Sequence, residues 1–202
     1  MNSGKPTAFV PVTLRGVHVT LEPLSMSHHA ALTEAGADPA ISRWFPKPVT
    51  GAQNMREFID EAMRMLAEGK SVPFAIRAGA DYVGSTRFAN IEATHRRAEI
   101  GWTWLTPSVQ RSAVNSECKY LLLRHAFEEQ GCNRVELKTD ALNEKSRNAI
   151  LRIGAKQEGI FRQHMVVQGG RLRDTVYFSI VRDEWPAVKA ALEATLNRGS
   201  KS

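Results

Sequence analysis

One stretch of the sequence constrains the fold more than any other: AEIGWTWLTPSVQRSAVNSECKY, at positions 98–120. Its segment Glu99–Leu105 is rich in β-branched and aromatic residues, which suit the pleated, half-buried surface of a β-strand. Pro107 ends this strand, because proline has no N–H to donate to a neighbouring strand. An apolar helix is expected from about Asn115 to Glu129. The stretch therefore predicts a strand, a turn and a helix in close succession.

The turn before this helix is short, polar and built largely from small residues. A helix start carries unpaired N–H groups and the positive end of the helix dipole, so it can bind a phosphate. Small residues in front of it let a ligand approach the backbone, and Arg111 adds either a contact to a phosphate or a solvated charge. The pattern predicts a nucleotide or pyrophosphate site, although most strand–turn–helix units bind nothing. The turn comprises Gln110, Arg111, Ser112, Ala113, Val114 and Asn115.

The rest of the chain gives signals for both strands and helices. Before the central stretch we expect a strand over Val12–Leu24, a helix that begins with a capping box at Thr50–Gln53 and ends at Gly69, and a hairpin of Val72–Arg77 and Tyr82–Phe88. After it we expect a strand over Arg134–Asp140, a helix opened by Asn143 or Ser146, a hairpin with a two-residue turn at Gly169–Gly170, and a helix from Asp183 to about Leu196. The order predicts one mixed α/β (α+β) domain over residues 1–202, with loose tails at 1–12 and 197–202.

The central stretch resembles the acyl-CoA-binding signature of the GCN5-related N-acetyltransferases (GNAT), especially the branch that acetylates the N-termini of ribosomal proteins. The resemblance runs from about Val12 to Trp185. It is carried by Glu99-Ile-Gly-Trp, Leu105, Pro107, Gln110-x-x-Ala113-x-Asn115, Glu117-Cys118 and Asn143-x-x-Ser146…Ile153-Gly-Ala155. The sequence departs from the family at Ala113, where the family has glycine, at Asn115, where it has glycine or alanine, and at Ala155, where it has phenylalanine. The resemblance implies a single, mostly antiparallel sheet of about seven strands flanked by helices.

The resemblance also implies a cofactor, acetyl-CoA or CoA, and places its parts. The strand backbone at Trp104 and Leu105 would pair with pantetheine, and an N–H near Trp104 would polarise the thioester. Residues 110–115 would hold the pyrophosphate. Asn143 and Ser146 match positions that contact pantetheine and CoA, and Arg152 matches a basic position at the adenosine end. As side chains alone, Trp102 and Trp104 suit the core, Asn143 and Ser146 suit helix caps, and Arg152 suits the surface.

Glu99 is the candidate general base, because the family places a carboxylate there that accepts the proton of the amine. The alternative is an ordinary strand glutamate paired with Arg97 or Arg87. Many relatives have a tyrosine that protonates the departing thiolate where this chain has Ile150. Water or a serine could replace it, or the group could leave as a thiolate. Cys118 is a weak alternative nucleophile, since no His–Asp pattern accompanies it.

The sequence thus predicts an N-acetyltransferase that acts by direct attack of a primary amine in a ternary complex. The acceptor would be a protein N-terminus or a small molecule that resembles a polyamine or an aminoglycoside. The alternative is a non-catalytic acyl-CoA-binding or regulatory module, which Ala113 and Ile150 favour and Glu99 disfavours. A homodimer through the late strands is a further expectation from the resemblance.

Composition argues against several other classes of protein. The net charge of +6 is scattered, without a DNA-binding signature, so no nucleic-acid partner is expected. No apolar run reaches about 18 residues and the start lacks an apolar signal segment, so no membrane association is expected. If one helix carries Cys118 and Cys132 near its ends, they lie too far apart for a disulfide, which is typical of a reducing cytoplasm. With the histidines, they show no zinc spacing, so no metal is expected.

Overall fold

The computed structural model of the chain describes residues 9–199 and contains one eight-stranded sheet with helices packed on both faces. The strands are β1 (Leu14–Arg15), β2 (Thr20–Pro23), β3 (Ser71–Ala78), β4 (Asp81–Glu92), β5 (Arg97–Leu105), β6 (Arg134–Asp140), β7 (Lys156–Val166) and β8 (Leu172–Val181). The helices are α1 (His29–Ala35), α2 (Ala52–Ala67), α3 (Ala113–Arg124), α4 (Glu144–Arg152) and α5 (Trp185–Gly199).

The strands lie in the order β1-β2-β3-β4-β5-β6-β8-β7. Neighbouring strands are antiparallel throughout, except that β5 and β6 run parallel. The predicted mixed, mostly antiparallel sheet is therefore confirmed. It has eight strands instead of about seven, because the strand expected over Val12–Leu24 is two short strands, β1 and β2, joined by a turn.

The turn between β1 and β2 is fixed by a carboxylate from α3. Glu117 is buried, and its two oxygens accept hydrogen bonds from the backbone N–H groups of Val17, His18 and Val19 at 2.6–2.9 Å. A Cβ at Gly16 would overlap this carboxylate, so the turn needs glycine there. The interruption of the predicted strand thus depends on a residue about a hundred positions away.

The two faces of the sheet bury separate apolar clusters. Helices α3 and α5 cover one face with residues such as Leu121, Leu122 and Trp185, and α1 and α2 cover part of the other with Leu32, Met55 and Ile59. Each large apolar side chain that is fully buried contributes roughly 1.5–3 kcal/mol. The predicted strand β6 alternates along its length, since Val135 and Leu137 face the α3 side, whereas Glu136 and Lys138 face the other.

Several element ends differ from the predictions. Helix α3 begins at Ala113, two residues early, and continues beyond Arg124 as a π-helical segment, His125–Glu129. The predicted capping box of α2 is wrong: Gly51 with φ 90° is its N-cap, and Thr50 instead lies 2.7 Å from the Ser42 hydroxyl. The left-handed stop at Gly69 is confirmed by a φ of 69°.

The late hairpin also differs from its prediction. Gly169 and Gly170 both have positive φ, 71° and 76°, but the loop between β7 and β8 spans residues 167–171 rather than two. Gln168 explains the longer loop, because its amide Nε2 donates to the carbonyls of Ser42 and Phe45 at 2.9 and 2.8 Å. These side-chain hydrogen bonds hold the loop against a segment that is distant in sequence. A local turn signal cannot predict such a contact.

The chain ends are partly packed. Phe9 stacks edge-to-face on Phe88 with ring centres 4.9 Å apart, and α5 extends to Gly199. The remaining parts of the predicted tails, residues 1–8 and 200–202, lie outside the described residues. Cys118 and Cys132 are both buried free thiols. Within residues 9–199, the helices are too short or too polar to cross a membrane.

Candidate active site

The central feature of the site is the point at which β5 and β6 separate. Their parallel pairing comprises three residue pairs and ends at Glu99–Glu136. Beyond it, β5 continues to Leu105 and β6 to Asp140 without pairing to each other. The edge of β5 that faces β6 thus offers backbone groups without a strand partner among the described residues. Such an edge can bind an extended molecule as if it were an added strand.

A β-bulge lies on this separated part of β5. Ser85 pairs with Trp104 and Arg87 with Gly101, so two residues, Trp102 and Thr103, stand opposite one residue of β4. Trp102 has a left-handed φ of 49°. A bulge redirects the backbone groups around it, and the N–H predicted near Trp104 falls within this distorted segment. Whether that N–H polarises a thioester stays a prediction.

The side chains of the two residues assigned to pantetheine pack in the core. Trp104 is 4% exposed within the α2-side cluster, and Leu105 is 7% exposed within the α3-side cluster. Only their backbone is therefore available to a ligand. The packing interpretation holds for the Trp104 side chain, and the predicted backbone role is compatible with it.

The turn between β5 and α3 leads directly into the start of that helix. Arg111 is exposed with a φ of 66°, and the Ser112 hydroxyl caps α3 by accepting from the N–H of Val114 at 3.2 Å. Ala113 is the first helical residue and has no positive φ, so alanine in place of glycine brings no backbone strain there. Val114 is buried in the core, and Asn115 is half-buried.

Gln110 connects this turn to β5 and to α4. Its amide Nε2 donates to the Leu105 carbonyl at 2.8 Å, and its oxygen accepts from the ammonium of Lys145. Lys145 thus brings a positive charge to the turn, which the sequence analysis missed. No local pattern marks this residue, because a lysine in the first turn of a helix is usually an ordinary solvated side chain.

Helix α4 places the other predicted contact residues. Asn143 caps it by accepting from the N–H of Ser146 at 3.1 Å, so the predicted capping role is confirmed. Arg152 is exposed at the opposite end, roughly 10 Å along the axis from Lys145. The structure therefore brings Lys145 to the turn and keeps Arg152 away from it. Contact of Asn143, Ser146 and Arg152 with a cofactor stays a prediction.

Glu99 lies at the last pair before the strands separate, and it is 2% exposed. Its Oε2 accepts from Asn90 Nδ2 at 2.7 Å and pairs with Lys138 Nζ at 2.9 Å. The expected alternative partners, Arg97 and Arg87, are engaged elsewhere. Arg97 pairs with Glu136, and the Arg87 guanidinium packs against the rings of Phe58 and Trp102 at 4.7 and 5.0 Å.

The second oxygen of Glu99 has a different environment. A Cβ built at Gly101 would lie 2.8 Å from Oε1, so this oxygen turns over a position that has no side chain. Since Lys138 and Asn90 both contact Oε2, the ion pair fixes the carboxylate without occupying Oε1. Glycine at position 101 thus leaves space for one carboxylate oxygen near the separation of the strands.

Glu99 also lines a surface cleft of about 520 Å³ on the face opposite α3. Its walls carry four carboxylates, two arginines and two aromatic rings: Glu92, Glu99, Glu136, Glu158, Arg97, Arg134, Phe161 and Tyr177. Hydrogen bonding from Arg134 is the main cause that lowers the pKa of Glu158 to about 2. The four wall carboxylates outnumber the two arginines, and the excess that remains after Lys138 pairs with Glu99 favours a cationic ligand such as an amine.

The two positions considered for a proton donor and for a nucleophile are both buried in the core. Ile150 is buried against the α3-side cluster, so this position offers no hydroxyl. Cys118 is completely buried, and burial raises the pKa of its thiol to about 11. Because the thiolate is the nucleophilic form, this thiol is unreactive near neutral pH.

Known proteins share this architecture. A family model described as an acetyltransferase (GNAT) domain matches residues 18–156. YdaF of Bacillus subtilis (strain 168), described as a candidate ribosomal N-acetyltransferase, is 29% identical over 152 residues, which cover 74% of this chain and 82% of YdaF. A crystal structure of a GCN5-related N-acetyltransferase from Brucella melitensis has a TM-score of 0.88 at 29% identity, over 97% of this chain and 90% of the other. Mycobacterium smegmatis RimJ in complex with CoA-disulfide shares the fold, with a TM-score of 0.80 at 22% identity over 92% and 95%.

Proposed function

The chain belongs to the acetyltransferase (GNAT) domain family, and from this membership we propose that it transfers the acetyl group of acetyl-CoA to a primary amine. The amine would attack directly in a ternary complex. The observation that carries the proposal is the position of Glu99, which lies both at the separation of β5 from β6 and in the wall of an acidic cleft. An acetyl donor held in the separation and an amine held in the cleft would meet at this residue.

The residues of the separation and the turn fit the shape and charge of CoA. The open edge of β5 suits the amide groups of pantetheine, and the α3 start with Arg111 and Lys145 suits a pyrophosphate. When bound, acetyl-CoA supplies the activated acetyl group. Asn143 and Ser146 complete the proposed site from α4, and Arg152 belongs to it only if the adenosine end extends along that helix.

Glu99 would serve as the base for the acceptor. A lysine-like amine titrates at about 10.4 and an α-amine at about 7.7–8.0, so most acceptor molecules arrive protonated near neutral pH. Only the neutral amine attacks a carbonyl. Oε1 of Glu99 would take the proton directly or through a water, while Lys138 and Asn90 hold Oε2.

The acceptor in this proposal is a protein N-terminus or a small primary amine. The ribosomal description of YdaF supports the first, and the carboxylates of the cleft are compatible with both.

We place the protein in the cytoplasm, since its two cysteines are free thiols. A homodimer through β7 is part of the same proposal, because this strand forms one edge of the sheet and exposes Ile160 and Val166; light scattering measures the oligomeric state.

The experiment is a panel of amines and N-terminal peptides assayed by the release of free thiol from acetyl-CoA, beside calorimetry of CoA binding. We expect transfer to at least one acceptor and CoA binding that weakens as salt rises, because charge contributes to it. Ala113→Val should weaken binding by crowding the helix start, whereas Ala113→Gly should preserve it. No CoA binding at low salt would overturn the cofactor assignment. Binding without transfer to any acceptor would favour the non-catalytic module.

A further inference from the structure

Helix α3 carries a lysine that lies beneath the separated strand. Lys119 lies near the end of the second turn and is 7% exposed. Its Nζ donates to Thr103 Oγ1 at 2.7 Å, and that hydroxyl lies 2.8 Å from Thr86 Oγ1. Thr103 belongs to the bulge of β5, on the part of the strand that has left β6. The lysine thus presents its ammonium at the α3 side of the opening, opposite the face that carries Glu99.

A buried ammonium is costly unless its hydrogen-bonding capacity and charge are matched. It has three donors, and the contacts found among the described residues use one, to the neutral hydroxyl of Thr103. Burial lowers the pKa of Lys119, while its electrostatic interactions with Cys118 and Glu99 act in the opposite direction. A methionine or leucine would fill the same space at a lower cost, so packing alone does not explain a lysine here.

The reaction proposed above requires a proton at the opening. Ile150 of α4 is buried in the α3-side cluster and has no proton to give. Cys118 also cannot serve, because it points into the core and burial raises its pKa. Lys119 is the cationic side chain of α3 that reaches the separated part of β5.

We propose that Lys119 is the proton donor to the departing sulfur in acetyl transfer, positioned by Thr103. The inference rests on the proposed function. Glu99 first passes the ammonium proton of the acceptor to water, then takes the second proton that the nitrogen releases as the C–N bond forms, and Lys119 supplies a proton to the sulfur as the C–S bond breaks. Glu99 then releases its proton to water and Lys119 regains one from water, so both residues return to their starting forms. Glu99 and Lys119 thus act from opposite faces of the same strand.

The test compares the parent with Lys119→Met, Lys119→Arg and Thr103→Val, using Lys70→Met as a control because Lys70 is exposed and pairs with Glu68. With an accepted amine, Lys119→Met should lower kcat roughly 10²-fold, the lower end for a general acid. Thr103→Val keeps the shape of the side chain and should lower kcat by less. The Kd for CoA should change less than threefold, and Lys70→Met should match the parent.

A second readout does not depend on turnover. The thiol of bound CoA is titrated by its thiolate absorbance; the thiol of an unperturbed cysteine has a pKa of about 8.5. A neighbouring ammonium stabilises the thiolate, so the parent complex should titrate about one unit lower than the Lys119→Met complex. Lys119→Arg keeps the charge and should retain most of this difference.

The outcomes separate this inference from the proposed function. Equal thiol titrations and equal kcat in the parent and Lys119→Met would overturn the role of Lys119 while leaving acetyl transfer intact. A parent that binds CoA but acetylates nothing would overturn the proposed function. The thiol titration would still show whether Lys119 lies close enough to the sulfur of CoA to stabilise its thiolate. If Lys119→Met does not fold, Thr103→Val decides, and an unchanged kcat and thiol titration in that variant would overturn the inference.

Discussion

The two edges of β5 are built differently. Toward β4 its pairing extends from Arg97 opposite Glu92 to Leu105 opposite Gly84, with two register shifts between. Toward β6 it is paired through three residues and then leaves its neighbour. The same strand therefore has one closed edge, which contributes to the stability of the sheet, and one open edge, which gathers the residues suited to chemistry. What a strand edge does depends on its neighbour as well as on its own sequence.

The largest expected effect concerns the open edge. Glu99→Gln keeps the size of the side chain but removes the base, so we expect turnover to fall roughly 10²–10⁴-fold, with little change in CoA affinity. The measurement is a pH–rate profile for both proteins with one accepted amine. The variant should depend more steeply on the ionisation of the amine itself, because only acceptors that arrive neutral would react.

The ion pair with Lys138 provides the control for this prediction. If Glu99 were only the partner of a half-buried lysine, Lys138→Gln would reduce turnover as much as Glu99→Gln does. If Glu99 is the base, Lys138→Gln should cost less than about tenfold. Near-parent turnover in Glu99→Gln would remove the residue from the mechanism. Thermal unfolding of both variants identifies any loss of fold that follows from a broken buried pair.

Substitutions at the closed edge of β5 should change the free energy of unfolding. A Cβ at Gly84 would overlap the Trp104 carbonyl oxygen and lie 3.1 Å from the Leu105 Cα, so β4 and β5 could not keep their distance. We expect Gly84→Ala to lower the free energy of unfolding by about 3 kcal/mol. Gly159→Ala is the matched control, because a Cβ at that strand position meets nothing within 4 Å. Urea unfolding measures both, and equal midpoints would show that the closed edge tolerates a wider spacing.

A smaller effect is expected where glycine serves the site. Gly101→Ala places a methyl 2.8 Å from Glu99 Oε1, and the carboxylate must turn away because the strand cannot. We expect turnover to fall roughly tenfold, since a small misplacement of a catalytic group is costly. Stability should change by less than about 1 kcal/mol, because the displaced atom ends a side chain. An active Gly101→Ala would indicate that Oε1 needs no open space.

The smallest expected effect is a change in the pH dependence of stability, caused by Glu158 on β7 beside the cleft. Arg134 holds the pKa of Glu158 at about 2, below the ordinary 4.5. A depressed pKa gives stability that is fully present above about 4.5 and is lost as pH falls toward 2. Because the Glu158 side chain is 41% exposed, the loss should be at most about 1 kcal/mol. Glu158→Gln should flatten this part of the curve of unfolding free energy against pH, and an unchanged slope would contradict the assignment.

Local sequence patterns predicted which strands and helices form better than they predicted how these elements pair and pack against one another. The alternation in β6 and the apolar spacing of α2 each follow from neighbours in sequence, and both elements are present. The separation of β5 from β6 has no such signal, because it depends on how two parallel strands lie in space. The same holds for the turn at 167–171, where Gln168 binds a segment more than a hundred residues away.

The candidate site shows the same limit. The sequence identified Glu99 by resemblance but not its partners, since Lys138 comes from another strand. Lys119 was hidden inside a helix that reads as apolar, and its burial becomes visible only when α3 packs against β5. The turn predicted over residues 110–115 ends at Ser112, because α3 begins at Ala113, and Lys145 reaches the turn from the next helix. Contacts between residues of different strands and helices therefore cannot be predicted from local sequence patterns.

The carboxylate of Glu117 has a consequence for the order in which the chain is made. The turn at Val17–Val19 leaves the ribosome about a hundred residues before the side chain that completes it. At about 5–20 residues per second, the N-terminal segment waits on the order of 5–20 s for its partner. During that interval β1 and β2 have no anchor in α3, so a nascent chain stalled before residue 117 would leave this segment accessible to proteases and chaperones.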